Sequence, residues 1–302
     1  FPFARKDTDR DTMINTIAPF WDGNETWLIL GGGGLWVAFP AAYAAIMPAN
    51  YLPVIVMLLA LIFRGVSFEF RAVSKPRHGA WTFAFSAGSI VAAFAQGVIL
   101  GNLIQGITLS ETGTFAGSAF DWLTPFALMC GVGLVFGYAL LGATWLLART
   151  EGEIAEHARS QAKGLLVMVL LFIGAVSLWT PLIEPRIAER WFSLPNILYL
   201  WPVPVLTVGV AGLCWWWLEN GRDAPPFLAS IALFLFGYLG LVISTYPYLV
   251  PPSLTIWETA AAPASQIFML LGTLVLLPLI LCYIAFVYWL FRGKIAEGES
   301  YH

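Results

Sequence analysis

The sequence predicts an all-α polytopic membrane protein, and its composition, its long apolar stretches and the placement of its charges each indicate this class. Apolar residues make up 59% of the 302 positions and charged residues 11%, and the mean hydropathy is +0.78. Soluble globular chains have about 45–50% apolar and about 25% charged residues. The composition therefore excludes a soluble enzyme, a disordered chain and a nucleic-acid-binding protein, which would need a basic surface.

Eight apolar stretches are long enough to cross a membrane, which takes about 20 residues of helix. We predict transmembrane helices at about 18–47, 49–70, 80–106, 121–148, 164–182, 198–218, 226–250 and 265–291. The segments between them are too short to hold a soluble domain, so residues 1–302 are predicted to form a single transmembrane helical domain.

Small residues recur within four of these helices and predict where helices pack closely. In chain order, they are Gly31–Gly34 in the first helix, Gly97 and Gly101 in the third, Gly133 and Gly137 in the fourth, and Gly237 and Gly240 in the seventh. Tryptophans lie near the ends of several of the predicted helices, as in an interfacial aromatic belt.

The basic residues alternate between loops and predict the topology. Twelve of the 15 Lys and Arg residues lie in alternate loops and in the two terminal segments. Arg186 and Arg190 are the only basic residues in the other set of loops, and Arg64 lies within a predicted helix. Because positive charge is retained on the cytoplasmic side, both ends of the chain, including the C-terminus, are predicted to be cytoplasmic.

Residues that commonly bind haem or metal are absent from the apolar stretches or are isolated there. His78, His157 and His302 lie in loops or in the tail, which argues against a haem with a histidine ligand from this chain. The cysteines are distributed over three separate stretches without a Cys-X-X-Cys motif, so no metal site is predicted. We therefore expect no independent catalytic site in this chain.

Two carboxylates in the first predicted helix are candidates for function. Asp22 and Glu25 are three residues apart and so share a helix face. Apolar sequence encloses them, at residues 13–20 and 28–47. An acid at the centre of a bilayer costs about 2.5–3.5 kcal/mol on insertion scales, and such residues usually face a polar cavity or a partner. In the alternative interpretation, both acids lie at the cytoplasmic rim of a stretch longer than the bilayer.

The second predicted helix ends with Arg64, Glu69 and Arg71. Arg64 and Glu69 are five residues apart and poorly placed to pair, so Arg64 is expected to meet an acid elsewhere or to extend toward the cytoplasm. Asp22, Glu25 and Glu69 all lie toward the predicted cytoplasmic side. Several acids in one apolar wall would suit a proton path.

The segment at 13–27, with its core Trp-Asp-Gly-Asn-Glu-Thr-Trp, resembles the signature of subunit II of cytochrome bd-type quinol oxidases. Further blocks that resemble this family lie at 63–71, 101–106, 246–253 and 255–258. The short loops are most similar to the cyanide-insensitive branch of the family.

The resemblance implies a heterodimer in the bacterial inner membrane that works in aerobic respiration. Subunit I would hold haems b and d and the quinol site and reduce dioxygen to water. Subunit II would have no haem ligands and would contribute a proton path from the cytoplasm. Asp22 matches the acid of that path, Glu69 stands where the family usually has Asp, and Glu25 is a third candidate. A structural quinone, bound lipid and small accessory subunits are left open.

One departure from the family pattern concerns the start of the chain. Family members have nine membrane helices, and the first of them, which precedes the charged run, is absent from the sequence given. The rival interpretation is a proton-coupled secondary transporter, which would also contain buried acids and glycine-interrupted helices. Transporters usually show matching halves, and no convincing internal repeat is present.

Overall fold

The computed structural model describes residue 4, residues 6–74 and residues 78–295. These residues contain thirteen α-helices and one β-hairpin. The helices are α1 (Asp7–Asn15), α2 (Trp21–Ala38), α3 (Pro40–Ala49), α4 (Tyr51–Val73), α5 (Gly79–Gln105), α6 (Pro125–Arg149), α7 (Gly152–Ile183), α8 (Pro185–Phe192), α9 (Asn196–Leu200), α10 (Pro202–Glu219), α11 (Pro225–Thr245), α12 (Ile256–Thr259) and α13 (Pro263–Leu290). The strands β1 (Tyr248–Val250) and β2 (Leu254–Thr255) pair in antiparallel fashion.

Seven helical segments within the described residues are long and apolar enough to cross a membrane. They are Tyr51–Arg71, Gly79–Gln105, Pro125–Arg149, Gly152–Ile183, Asn196–Glu219, Pro225–Thr245 and Pro263–Leu290. The predicted all-α polytopic membrane fold is confirmed, and the predicted number of eight transmembrane helices is approximate.

The difference in number comes from the first predicted helix, 18–47, which is divided into α2 and α3. Phe39 lies between them with φ −137° and ψ 63°, outside the helical region. Proline disfavours helical geometry in the residue before it and has no N–H of its own, so Pro40 begins a new helix. The polar residues in the first two turns of α2 also lower the hydropathy of that helix.

Three other predicted boundaries differ from the structure. Helix α7 begins at Gly152 rather than near 164, because its charged first turns continue the helix beyond the apolar stretch. The predicted helix at 198–218 consists of α9 and α10. The one at 226–250 ends as a helix at Thr245, and the chain then forms the β-hairpin.

Helices α4, α5, α6 and α7 pack in chain order, and α10 and α11 pack against α6 and α7. The largest core cluster lies among α6, α7, α10 and α11, with Leu140, Leu166 and Leu233 almost fully buried. Glycines allow the closest approaches: a Cβ added at Gly97 would lie 2.5 Å from the carbonyl oxygen of Cys130. The predicted close packing is thus confirmed at α5 and α6. It is not seen within this chain at Gly31–Gly34, Gly237 and Gly240, where such a Cβ would have no neighbouring side chain or other helix within 4 Å.

Helix α13 contains no buried residue and is held chiefly near its ends. At one end, the Gln266 side-chain amide donates to the Ala38 carbonyl (3.0 Å). Toward the other end, Tyr288 stacks on Phe20 with ring centroids 4.3 Å apart. Lys294, beyond the helix, pairs with Asp223 of the α10–α11 loop (2.8 Å).

Asp223 joins three segments of the chain at this end. It also pairs with Arg159 of α7 at 2.5 Å. Burial acts to raise the pKa of Asp223, but hydrogen bonds from Lys294 and Arg159 outweigh it and hold the pKa below its usual range. The segment after α13 is therefore tied to α7 and to the α10–α11 loop.

Candidate functional site

The candidate site lies where the start of α2 meets the second half of α4. The Trp21 ring stacks on Phe68, with centroids 4.6 Å apart and planes 9° from parallel. A Cβ added at Gly65 would lie 3.3 Å from the Trp21 ring, so the absence of a side chain there makes room for the indole. This contact fixes the position of α2 along α4.

The same placement brings Glu25 to Arg64, because Glu25 lies one turn after Trp21 and Arg64 lies one turn before Phe68. Glu25 Oε1 lies 3.2 Å from Arg64 Nη1, and the two side chains are 22% and 27% exposed. Helix α5 packs closely against α4 beside Arg64. A Cβ added at Gly88 of α5 would lie 2.6 Å from the Ala60 carbonyl oxygen and 3.3 Å from Arg64 Cβ. The ion pair is therefore held between two helices in a largely apolar segment.

A second polar contact lies on the neighbouring helices α5 and α6. The Tyr138 hydroxyl donates a hydrogen bond to Gln96 Oε1 of α5 (2.7 Å). The Glu25–Arg64 ion pair thus joins α2 to α4, and the Tyr138–Gln96 hydrogen bond joins α6 to α5.

Asp22 and Glu69 are both exposed on the surface of this chain. Asp22 is close enough to Glu25 for their charges to interact, as their spacing predicts. Glu69 follows Phe68, so it lies at the same end of the helices as Asp22, but no hydrogen bond or ion pair joins these two described residues. The structure therefore brings together Asp22, Glu25 and Arg64 and leaves Glu69 separate.

The sequence does not predict a role for Asp11 and Thr82, and both side chains contact Arg71. Asp11 of α1 forms an ion pair with the buried Arg71 of α4. Arg71 Nε also donates to Thr82 Oγ1 of α5 (3.0 Å). No local spacing could have identified a pair whose members are 60 residues apart in sequence. These contacts fix α1, and with it the segment that leads into α2 and Asp22.

The histidines of the described residues lie apart from one another. His78 lies at the N-cap of α5, and His157 is exposed near the start of α7. No group of three or more His, Cys, Asp or Glu side chains in the described part of the chain is arranged to hold a metal ion. His302 lies outside the described residues.

Comparisons with known proteins give a consistent result. The sequence model of the family described as cytochrome bd terminal oxidase subunit II matches residues 1–291. Cytochrome bd-I ubiquinol oxidase subunit 2 of Escherichia coli strain K12 is 31% identical over 331 aligned positions, which cover 98% of this chain and 87% of that protein. Cytochrome bd ubiquinol oxidase subunit 2 of Bacillus subtilis is 27% identical, with 98% and 88% covered.

A solved structure is similar in fold. A chain of the bd oxidase from Geobacillus thermodenitrificans superposes with a TM-score of 0.73 at 17% identity, covering 95% of this chain and 88% of that one. The path of the backbone is therefore shared, although few side chains are.

Proposed function

This chain belongs to the cytochrome bd terminal oxidase subunit II family, and from that premise we propose the part that it plays in the oxidase. It is a subunit of a quinol oxidase, an oxidoreductase of respiration, and a multi-pass protein of a bacterial membrane. The family implies a subunit I partner and haem cofactors carried in the complex. The secondary-transporter interpretation is wrong.

We propose that subunit I holds haems b and d and oxidises quinol, and that this chain delivers protons from the cytoplasm for the reduction of dioxygen. The observation that carries the proposal is the exposed Asp22 beside the Glu25–Arg64 ion pair, at the start of an otherwise apolar helix. Bound haem would supply the electron transfer to dioxygen. The residues of this chain would accept, hold and pass protons.

The exposed polar residues of α2 support a partner on this face. Asp22 and Asn24 are exposed on this chain, and an acid in contact with hydrocarbon would cost about 2.5–3.5 kcal/mol. Helix α2 buries only Ala38 within this chain, and α13 beside it buries no residue. We propose that subunit I covers both helices, and an obligate interface of this kind usually exceeds about 2,000 Å².

The charges distinguish the roles of the carboxylates. Arg64 balances Glu25, so Glu25 has a fixed counter-ion. Asp22 has no ion-pair partner within the described residues and is exposed on the surface of this chain. We therefore propose Asp22 as the principal carrier, Glu69 as the second carrier and Glu25 as the third.

The direction of uptake follows from which end of the helices holds Asp22. Phe20, two residues before it, contacts the Trp145 ring at 5.7 Å, and Arg149 lies over the same Phe20 ring. Arg149, Arg159 and Lys294 belong to the basic set that predicts the cytoplasmic side. We propose that the protein lies in the inner membrane with its C-terminus in the cytoplasm and that protons enter near Asp22.

Replacement of the carboxylates tests this function. Asp22→Asn and Glu69→Gln preserve side-chain size but cannot carry a proton, so quinol-driven oxygen consumption by the purified complex should fall. We expect a loss of about 10²-fold for Asp22→Asn, the lower limit for a positioned proton donor, and a smaller loss for Glu69→Gln. The haem spectrum should be unchanged.

Glu111→Gln serves as the matched control, because Glu111 is an exposed acid in the loop between α5 and α6. Its oxygen consumption should equal that of the wild type. If both Asp22→Asn and Glu69→Gln retained the wild-type rate and the wild-type proton stoichiometry, the assignment would fail, and the rim interpretation of these acids would be preferred.

A further inference from the structure

A small, open cavity of about 30 Å³ lies between α8, the end of α11 and the β-hairpin. Arg186 and Arg190 line one side of it, and Ser244, Tyr246 and Tyr248 line the other. It lies away from the Asp22 site, at the opposite predicted side of the membrane. Both basic residues of the loops on that side therefore line the same cavity.

The two arginines are held in place largely by aromatic rings. Arg186 Cζ lies 5.2 Å from the centroid of Tyr248, and Arg190 Cζ lies 5.8 Å from that of Tyr246. Such cation–π contacts orient a guanidinium and leave its N–H groups free to donate. The aromatic residues thus fix the positions of the cations without neutralising them.

The charged groups that line the cavity are two guanidinium groups. Arg186 Nη2 pairs with Glu184 at 2.7 Å, which uses part of its donor set, and a guanidinium has five N–H donors. Arg190 makes no ion pair within the described residues, and its sequence neighbour Glu189 does not line the cavity. No carboxylate is among the described residues that line it. Two guanidinium groups on one wall suit a phosphate, which they can bind through paired N–H···O bonds.

An exposed apolar segment continues from the cavity. Helix α8 buries Ile187 and ends at the exposed Phe192, and the chain then exposes Leu194 and Leu198. The exposed Trp201 follows, a residue type that favours the membrane–water interface. An anion site beside an apolar segment at the end of membrane helices suits a ligand with a charged head and a hydrocarbon tail.

We propose that this cavity binds the phosphodiester headgroup of an anionic phospholipid through Arg186 and Arg190, with the acyl chains lying along residues 192–201. This site is separate from the proposed proton path and does not depend on it. Free phosphate shares the headgroup chemistry, but it would make no use of the apolar segment.

The test uses the complex purified with its partner subunit, stripped of lipid and titrated with detergent-dispersed phosphatidylglycerol while its thermal stability is followed. One basic side chain near an anionic lipid contributes about 1 kcal/mol, which corresponds to about a fivefold change in affinity. We expect Arg190→Gln to weaken binding about fivefold. The double variant, Arg186→Gln with Arg190→Gln, should weaken it by about the square of that factor. Lysine at both positions should largely retain binding.

Arg222→Gln is the matched control, because Arg222 is an exposed arginine at the other end of the helices and does not line the cavity. Equal affinity of the wild type and the double glutamine variant would overturn the proposal. So would equal stabilisation by phosphatidylcholine or by inorganic phosphate alone. If the double glutamine variant did not assemble, Arg190→Gln and the double lysine variant would decide, with loss in the former and retention in the latter as the supporting result.

Discussion

Arg64 and Glu25 depend on each other, because each would otherwise hold a charge in a largely apolar segment without a counter-ion. Their side chains are about three-quarters buried and 3.2 Å apart. Removal of one member of a fully buried pair costs about 3–5 kcal/mol, mainly because the other charge is left uncompensated. Partial exposure should reduce that cost here.

We therefore expect Arg64→Gln to lower the stability of the complex by about 2 kcal/mol, somewhat below the cost for a fully buried pair. The double variant, with Glu25→Gln added, should recover part of the loss because it leaves no isolated charge. Thermal unfolding followed through the haem spectrum measures all four members of this double-mutant cycle. Additive losses would show that the two charges are not coupled.

The sequence predicts some of these residue contacts and not others. The three-residue spacing places Asp22 and Glu25 on one helix face, and the five-residue spacing indicates that Arg64 pairs outside its own helix. The identity of its partner depends on how α2 lies along α4, which the Trp21–Phe68 stack determines. Asp11 and Arg71 pair across a long sequence separation for the same kind of reason.

At the scale of elements, hydropathy predicts which segments cross the membrane but not where a helix begins or ends. It treats 18–47 as continuous, although Pro40 interrupts the helix. It also misses the charged first turns of α7, which lie outside the apolar stretch and remain helical. Backbone geometry and capping, rather than burial, determine these boundaries.

The α5–α6 contact gives a direct test of glycine packing. Gly97→Ala would place a Cβ within 2.5 Å of the Cys130 carbonyl oxygen and 2.7 Å from Gly131 Cα. Backbone atoms cannot rotate away, so the two helices must separate, at a cost of about 1–3 kcal/mol for an overpacked site. We expect a lower midpoint of thermal unfolding and a lower yield of the assembled complex.

Gly209→Ala in α10 is the control, because an added Cβ there would have no other atom within 4 Å. Alanine favours helix over glycine, so this variant should be as stable as the wild type or slightly more stable. Equal behaviour of the two variants would contradict the packing argument.

At the scale of the whole molecule, the charges give the protein two chemically different ends. The Asp22 end carries Arg149, Arg159 and Lys294, whereas the described loops at the other end contain Arg186 and Arg190. Proton uptake near Asp22, together with release during quinol oxidation on the opposite side, would move charge across the membrane. Each elementary charge so moved stores about 2.3 kcal/mol per 100 mV.

Reconstitution of the complex in vesicles of known orientation tests this direction. During turnover, the compartment that faces Arg149 and Lys294 should become more alkaline, as recorded by pH indicators on both faces. A proton-conducting uncoupler should abolish the difference between the faces without stopping oxygen consumption. Alkalinisation on the side of Arg186 and Arg190 would overturn both the predicted topology and the proposed role of Asp22.

The attachment of α13 has a consequence for how the cell matches the amounts of the two subunits. This helix leaves the ribosome after every other described helix, and its own chain offers contacts chiefly near its two ends. Before the partner arrives, the helix gains little packing energy from its own chain. A newly made copy without a partner would therefore be a substrate for membrane proteases, and its lifetime would depend on the supply of subunit I.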